Sequence, residues 1–168
     1  MLSFDLQSLR TKAASVSGEL SPDDPVWREG DDRPTSPVRV SGRLSSAGPD
    51  RFYWHGQIEG ESVLPCRRCL ADAKVTVSEE AHVIFSQAGD REDDPDVFEL
   101  DPGVRELDLK PAVRELWLLH APAYPLCRDD CKGLCPTCGA DLNAGPCGCP
   151  QQTDSRWDAL RKATGESE

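Results

Sequence analysis

The sequence predicts an α+β protein, with a small antiparallel β-sheet, one main helix and a cysteine-rich C-terminal region. Apolar and polar residues alternate between residues 38 and 85, and a period of two is typical of half-buried strands. The apolar spacing becomes helical after residue 108, and six of the eight cysteines follow that helix. The change of period along the chain therefore predicts a sheet first and a helix after it.

The N-terminal part of the chain fits two interpretations. Leu2, Phe4 and Leu6 alternate like an edge strand, but Leu6 and Leu9 also fit the first turns of a short helix. Residues 18–37 are rich in Pro, Asp and Gly, and we predict a loop there. The sequence alone leaves both interpretations of the first residues open.

The next part of the chain predicts an antiparallel meander of three or four strands. Residues 38–44 form the first strand and residues 52–63 the second, with Gly56 and Gly60 as candidate β-bulges. Residues 74–85 alternate cleanly and form a further strand. A Cys-x-x-Cys pair falls at the reversal before this last strand, so we expect that pair at the tip of a hairpin.

The main helix is predicted to begin near residue 108. Asp108 is the expected N-cap, because its carboxylate can accept a hydrogen bond from a free backbone N–H, and Pro111 suits the first turn. Pro122 ends the helix. One face of the helix is apolar and consists of Leu109, Val113, Leu116 and Trp117.

The chain beyond the cysteine-rich segment is expected to add one short helix, capped by Asp154. We expect residues 164–168 to form a frayed tail. The remaining chain divides into an N-terminal segment at residues 1–35, partly loop, and a principal domain at residues 36–163.

The net charge restricts the class of partner. The chain has 19 Lys and Arg against 30 Asp and Glu, which gives a net charge of −11. This charge repels a phosphate backbone, so contact with RNA needs a local basic patch, whereas a basic protein is an easier partner. Residues 87–96 form an acidic loop, which we interpret as a solvated linker, the alternative being a docking loop for a basic partner.

The apolar runs predict a cytoplasmic protein without a targeting signal or a membrane span. The strongest apolar run, Leu116 to Leu119, is far shorter than the roughly 18 residues that a span needs. Glutathione keeps cytosolic thiols reduced, so eight cysteines in that compartment indicate metal ligands rather than disulfides.

All eight cysteines occur in four closely spaced pairs. The pairs are Cys66-x2-Cys69, Cys127-x3-Cys131, Cys135-x2-Cys138 and Cys147-x-Cys149. Structural zinc takes four thiolates in a tetrahedron, and two intervening residues let both thiolates of a pair point into it. Eight thiolates therefore predict two structural zinc ions.

Two groupings of the pairs stay open. The preferred grouping has a long-range site of Cys66, Cys69, Cys127 and Cys131 and a local site of Cys135, Cys138, Cys147 and Cys149. The rival grouping joins Cys127 and Cys131 to Cys135 and Cys138. An all-cysteine site is closed, whereas a catalytic zinc needs an open position, so we do not expect an enzyme. A redox-active Cys-x-x-Cys begins a helix, whereas the first pair here lies between strands, so we do not expect redox catalysis either.

The basic residues near the cysteines and the three histidines are the remaining candidates for a functional role. Four basic residues lie beside the cysteines of the long-range site, namely Arg67, Arg68, Arg128 and Lys132. If they converge on one zinc ion, they either grip RNA phosphate or balance the charge of four thiolates. We interpret His55, His82 and His120 as structural residues rather than metal ligands.

Several motifs together resemble a known family. They are Cys66-Arg67-Arg68-Cys69-Leu70 after a strand, CKGLCPTCGADLN at residues 131–143, Cys147-Gly148-Cys149, and Arg156-Trp157-x-x-Leu160. This pattern resembles the YceD family of large-ribosomal-RNA accumulation proteins over residues 36–163. The first 35 residues contain no motif that matches.

The resemblance implies a role in synthesis, processing or stability of large-subunit ribosomal RNA. In bacteria the family's gene commonly neighbours that of a small, basic, zinc-binding large-subunit ribosomal protein. The implied partner is therefore a large-subunit ribosomal protein or a pre-ribosomal particle, with direct binding of ribosomal RNA as the alternative. No small-molecule substrate is expected.

Overall fold

The computed structural model describes residues 1–87 and 97–150, together with the single positions 156 and 163. The strands in these residues are β1 Ser3–Asp5, β2 Ala14–Leu20, β3 Val38–Ser46, β4 Arg51–Pro65, β5 Asp72–Ser86, β6 Val97–Glu99 and β7 Glu106–Asp108. The helices are α1 Leu6–Thr11 and α2 Lys110–His120. A five-stranded sheet has the order β2-β3-β4-β5-β6, and β1 pairs with β7 in a small second sheet. The α+β class with one main helix is confirmed.

The long hairpin of β4 and β5 dominates the sheet. Its register runs without interruption from Arg51 opposite Ser86 to Pro65 opposite Asp72. The expected bulges at Gly56 and Gly60 are therefore wrong. Gly56 instead allows a close approach of β3, because a Cβ there would collide with Ser41 O. Gly60 leaves room for an indole ring, because a Cβ there would lie 2.9 Å from Trp117 Cζ3.

Two edges of the sheet differ from the expected meander. Strand β6 runs parallel to β5, so the sheet is mixed rather than purely antiparallel. At the other edge, β2 includes residues 18–20, where the sequence predicted a loop. The strand continues there because Leu20 is buried and pairs with Val38. Both interpretations of the first residues are partly right, since β1 is followed directly by α1, which Asp5 caps.

The core lies between the sheet and α2. Trp117 of the helix is fully buried and meets Trp27 edge to face, with ring centroids 6.4 Å apart. The Trp117 Nε1 donates a hydrogen bond to Asp32 O at 2.8 Å, which leaves no unsatisfied donor at this contact. The N-terminal segment contributes to the same core through Leu2, Leu6, Leu9, Val16 and Leu20.

The main helix begins one residue later than predicted. Leu109 is the N-cap, and Asp108 accepts a hydrogen bond from Lys110 N at 3.0 Å. The predicted apolar face is confirmed, since Leu109, Val113 and Trp117 are buried and Leu116 packs beside them. None of the helices in the described part of the chain has the length and apolar character needed to cross a bilayer.

An ion pair fastens the loop after β2 to the helix. Arg114 donates two hydrogen bonds of 2.7 Å to the Asp31 carboxylate, and Arg28 N donates a third. Asp31 is only 9% exposed, so solvent screens this pair weakly. The hydrogen bonds from Arg114 lower the pKa of Asp31 from 3.8 to about 2.

Some predicted elements lie outside the described residues. They are the acidic loop beyond residue 87, the helix capped by Asp154 and the tail at residues 164–168.

The depressed pKa of Asp31 predicts how stability changes in acid. The contribution of its carboxylate is complete above pH 3.8 and is lost as the pH falls through about 2. We expect Asp31→Asn to lower the free energy of unfolding by about 1–2 kcal/mol near neutral pH. This difference from the unmodified chain should shrink on acidification, as measured by urea unfolding across the acid range. The control is Asp50→Asn, which removes an exposed pair with Arg10 and should have little effect. A deficit of Asp31→Asn that persists at the lowest pH would contradict the assignment.

Candidate metal centres

The tip of the β4–β5 hairpin is a tight turn built around Cys66. Cys66 N donates to Ala71 O at 2.8 Å, and Leu70 N donates back to Cys66 O at 2.9 Å. Arg68 N points at the Cys66 sulfur at 3.5 Å. Leu70 has φ +63°, a left-handed conformation that a leucine adopts only at a cost, and its side chain is 67% exposed.

The later Cys135 turn repeats this geometry bond for bond. Cys135 N donates to Ala140 O at 2.8 Å, and Gly139 N donates to Cys135 O at 2.9 Å. Gly139 has φ +72° and takes the place that Leu70 has in the first turn. CRRCLA and CPTCGA therefore form the same knuckle. This equivalence was not predicted from the sequence, although the shared spacing Cys-x-x-Cys-x-Ala was a signal for it.

The first knuckle lies against the segment that follows α2. Cysteines from the knuckle and from this segment form the first sulfur cluster, which consists of Cys66, Cys69, Cys127 and Cys131. Its four sulfur atoms lie within 4.8 Å of one another. The Sγ atoms of Cys66 and Cys131 are 3.8 Å apart, and those of Cys69 and Cys127 are 3.5 Å apart. A disulfide needs about 2.05 Å, so these distances are those of free thiols. A tetrahedron with metal–sulfur bonds of about 2.3 Å has edges of about 3.8 Å, which matches.

The second sulfur cluster is local and consists of Cys135, Cys138, Cys147 and Cys149. Its sulfur atoms also lie within 4.8 Å of one another. Cys135 is buried, whereas Cys138 is exposed. The structure thus brings together the four cysteines of each site in the preferred grouping, and it places Cys127 and Cys131 with the hairpin rather than with Cys135 and Cys138.

One cysteine in each cluster has a lowered pKa, which favours its thiolate form. The backbone N–H of Cys69 lowers the pKa of Cys66 to about 6, because the hydrogen bond stabilises the charged sulfur. The backbone N–H of Cys138 lowers the pKa of Cys135 to about 6 in the same way. Each knuckle therefore aims its amide dipoles at its first cysteine.

Another sulfur in each cluster holds its proton. A hydrogen bond to Cys69 raises the pKa of the Cys127 thiol to about 12, and one to Cys138 raises the pKa of Cys149 to about 12. Adjacent sulfur atoms cannot all be charged, since like charges at contact distance repel. A bound cation removes this repulsion. Four soft sulfur donors with no carboxylate or imidazole among them fit zinc in a closed site.

The two clusters are linked by Asn143, which was not among the predicted site residues. Asn143 Nδ2 points at the Cys131 sulfur at 3.5 Å, and Asn143 Oδ1 accepts from Lys132 N at 2.8 Å. The same Nδ2 donates to Asp141 Oδ1 at 2.7 Å. Asn143 thus joins the chain after the second knuckle to a cysteine of the first cluster.

The four basic residues lie around the first cluster, but two of them hold the backbone in place. Arg67 Nε donates to Ala123 O, and Arg68 Nη1 donates to Cys131 O, both at 2.8 Å. Arg128 lies 3.4 Å from Asp130 in an exposed ion pair. Lys132 is exposed, and it contributes its backbone N–H to the contact with Asn143 described above. Two of these side chains therefore clamp the hairpin tip to the segment after α2.

The histidines are divided between two places. His55 and His82 lie opposite each other on β4 and β5, on the face of the sheet away from the core. His120, at the end of α2, has its Nδ1 2.8 Å from Leu116 O.

The family can be assigned from the matching part of the chain. Residues 54–162 match the family model of the large ribosomal RNA subunit accumulation protein YceD. The chain belongs to the YceD family. The match contains the whole of both sulfur clusters and α2, and it begins within β4. The resemblance read from the cysteine motifs is thereby confirmed.

Several relatives are similar to this chain over its greater part. An uncharacterized protein of Mycobacterium tuberculosis is 31% identical over 112 residues, which cover 66% of this chain and 54% of the relative. The uncharacterized protein YlbN of Bacillus subtilis is 35% identical over 114 residues, covering 66% of this chain and 64% of that protein. This chain therefore spans about half the length of the mycobacterial relative.

A plant relative has a descriptive name. A chloroplastic protein of Arabidopsis thaliana, the large ribosomal RNA subunit accumulation protein YCED homolog 1, is 35% identical over 57 residues. The matched part is 34% of this chain and 18% of the plant protein. No solved structure was found to match the chain.

The two clusters predict different consequences when a cysteine is lost. We expect Cys66→Ser to speed amide exchange throughout the domain, because the first cluster closes a long loop between the hairpin and the segment after α2. The same substitution at Cys147 should affect mainly residues 132–150. Hydrogen exchange measured by mass spectrometry compares the exchange rates of the two variants, and each variant is the matched control for the other. Equal and local effects from both changes would reject the roles given to the clusters.

Proposed function

We propose that this chain is a non-enzymatic, zinc-binding ribosome biogenesis factor of the cytoplasm that supports synthesis, processing or stability of large-subunit (23S) ribosomal RNA. The observation that carries the proposal is the pair of closed four-sulfur clusters in a chain of the YceD family, whose description is that of a large ribosomal RNA subunit accumulation protein. Binding, rather than catalysis, is the activity that such clusters support.

The zinc ions have a structural role in this proposal. The first cluster and the second cluster each hold one ion through four thiolates. A closed tetrahedral site has no free position for water or substrate, so the ion contributes folding free energy instead of chemistry. The first ion fixes the hairpin tip to the segment after α2, and the second orders the local turn that follows.

The partner is a basic protein of the large ribosomal subunit, either free or in a pre-ribosomal particle. A net charge of −11 favours such a partner and opposes naked RNA. The arginines at the first cluster are only partly available to RNA phosphate, since Arg67 and Arg68 each donate a guanidinium N–H to a backbone carbonyl. Arg128 is partly neutralised by Asp130.

Direct binding of ribosomal RNA is the second candidate, and one observation favours it. Tyr124 is 83% exposed, and the Arg67 guanidinium lies 5.9 Å from the centre of its ring. An exposed aromatic ring beside an arginine is a surface on which an unpaired base can stack.

The choice of partner is tested first, together with a docking role for the acidic residues 92–94. The full chain is mixed with a purified basic large-subunit ribosomal protein and, separately, with naked large-subunit RNA at physiological salt. We expect tighter binding to the protein.

Changing Glu92, Asp93 and Asp94 to Gln, Asn and Asn should slow association with the ribosomal protein. Changing all three to Lys should slow it further, by about tenfold in total, because electrostatic steering depends on charge. Rates that stay the same across this series contradict a docking role for these residues.

The basic residues are tested with variants that leave the clamp intact. Arg128→Ala combined with Lys132→Ala removes two charges without touching the bonds of Arg67 and Arg68. We expect protein binding to be unchanged. Tyr124→Ala is the companion variant for base stacking, and its ring is exposed, so the fold should tolerate the change. Tighter binding of naked RNA than of the ribosomal protein, weakened by both variants, would replace the protein-partner proposal with the RNA-binding one.

A further inference from the structure

A third group of metal-ligating side chains lies on the outer face of the sheet and shares no residue with the sulfur clusters. It consists of His55, Glu80 and His82, one candidate ligand atom from each lying within 4.8 Å of the others. His55 Nε2 is 2.8 Å from Glu80 Oε1, and His82 Nε2 is 3.6 Å from the same oxygen. Both imidazoles therefore direct Nε2 at one carboxylate.

The strand register produces this arrangement. His55 and His82 are direct cross-strand neighbours, and Glu80 precedes His82 by two residues on the same face of β5. The rings of the two histidines stack with centroids 4.8 Å apart. A paired two-strand framework fixes the three Cα positions, so the ligands converge without a flexible loop.

A hydrogen bond orients one of the two imidazoles. Tyr53, also on β4, has its hydroxyl 2.6 Å from His82 Nδ1. When Nδ1–H donates to this oxygen, the lone pair of Nε2 is free and points toward the carboxylate. Metal-bound histidines commonly have their second ring nitrogen held in this way, which fixes the tautomer and the ring angle.

The group does little for stability as it stands. His55, His82 and Glu80 have side chains that are 52%, 55% and 65% exposed. Ion pairs with this exposure contribute little to folding. Convergence of three ordered, exposed side chains on one point is what an open site needs, because solvent reaches the position from one side.

We propose that His55, Glu80 and His82 form an open binding site for a divalent transition-metal ion on the outer face of the sheet. Imidazole suits zinc, nickel and copper, and one carboxylate completes a mixed set of three ligands. The ion replaces the proton between His55 Nε2 and Glu80 Oε1, and that proton moves to His55 Nδ1 or to solvent. The remaining coordination positions are open to water or to a side chain of another molecule.

The surroundings distinguish this site from a mere acidic surface. Arg43 lies opposite His55 on β3, so a cation gains no general attraction from that side. The ion is held by its three direct bonds, which favours transition metals over calcium or magnesium, since those prefer oxygen ligands.

The test titrates Ni²⁺ into the full chain as purified, followed by calorimetry near neutral pH. Near-ultraviolet absorption is recorded in parallel, because nickel bound to thiolate gives charge-transfer bands that nickel bound to imidazole does not. We expect one equivalent of Ni²⁺ to bind without these bands. His82→Ala should abolish this binding, while His120→Ala, which removes a histidine outside the group, should leave it unchanged.

Tyr53→Phe separates orientation from ligation. It keeps the ring that stacks near both histidines but removes the hydroxyl. We expect about tenfold weaker Ni²⁺ binding with the same stoichiometry. Circular dichroism checks that each variant is folded. The proposal is overturned if Ni²⁺ fails to bind, if His82→Ala binds it as the unmodified chain does, or if binding is accompanied by thiolate bands.

Discussion

The contact between the β4–β5 hairpin tip and the segment after α2 joins residues that are 65 positions apart in the chain. Sulfur atoms meet there at 3.5–3.8 Å, and Arg68 donates across the junction to Cys131 O. Ordering so long a loop costs conformational entropy, and four converging sulfur atoms are suited to supply the opposing free energy by holding a metal ion. The position of the second knuckle follows from this junction, because Asn143 connects it to Cys131.

The two knuckles have the same backbone conformation but different surroundings. Gly139 adopts the left-handed conformation without strain because it has no Cβ. Leu70 adopts the same conformation at a cost, and its side chain is exposed to solvent. The first knuckle is enclosed by the segment after α2, and its first cysteine is fully buried. The second is more open, and only Cys135 is buried there. Local spacing therefore determines the turn, and tertiary packing determines how far each cluster is shielded from water.

Features with a local cause were predictable from the sequence, and features with a distant cause were not. The alternation of β4 and β5, the apolar face of α2 and the Cys-x-x-Cys hairpin tip each depend on neighbouring residues. Gly56 and Gly60 were taken for bulges because the atoms that a Cβ would meet there, on β3 and α2, lie elsewhere in the fold. Strand β6 has three residues, too few for a periodic signal. His55 and His82 were interpreted separately, since only the register of the hairpin makes them neighbours.

If two zinc ions hold the cysteine-rich region together, the purified chain contains both of them. Native mass spectrometry of the unmodified chain, with elemental analysis to identify the metal, gives the number of ions bound per folded molecule. We expect two zinc ions in the sulfur clusters, with all eight cysteines reduced. A chain that is folded with one zinc ion or none, or with its cysteines in disulfides, would rule out this structural role of zinc.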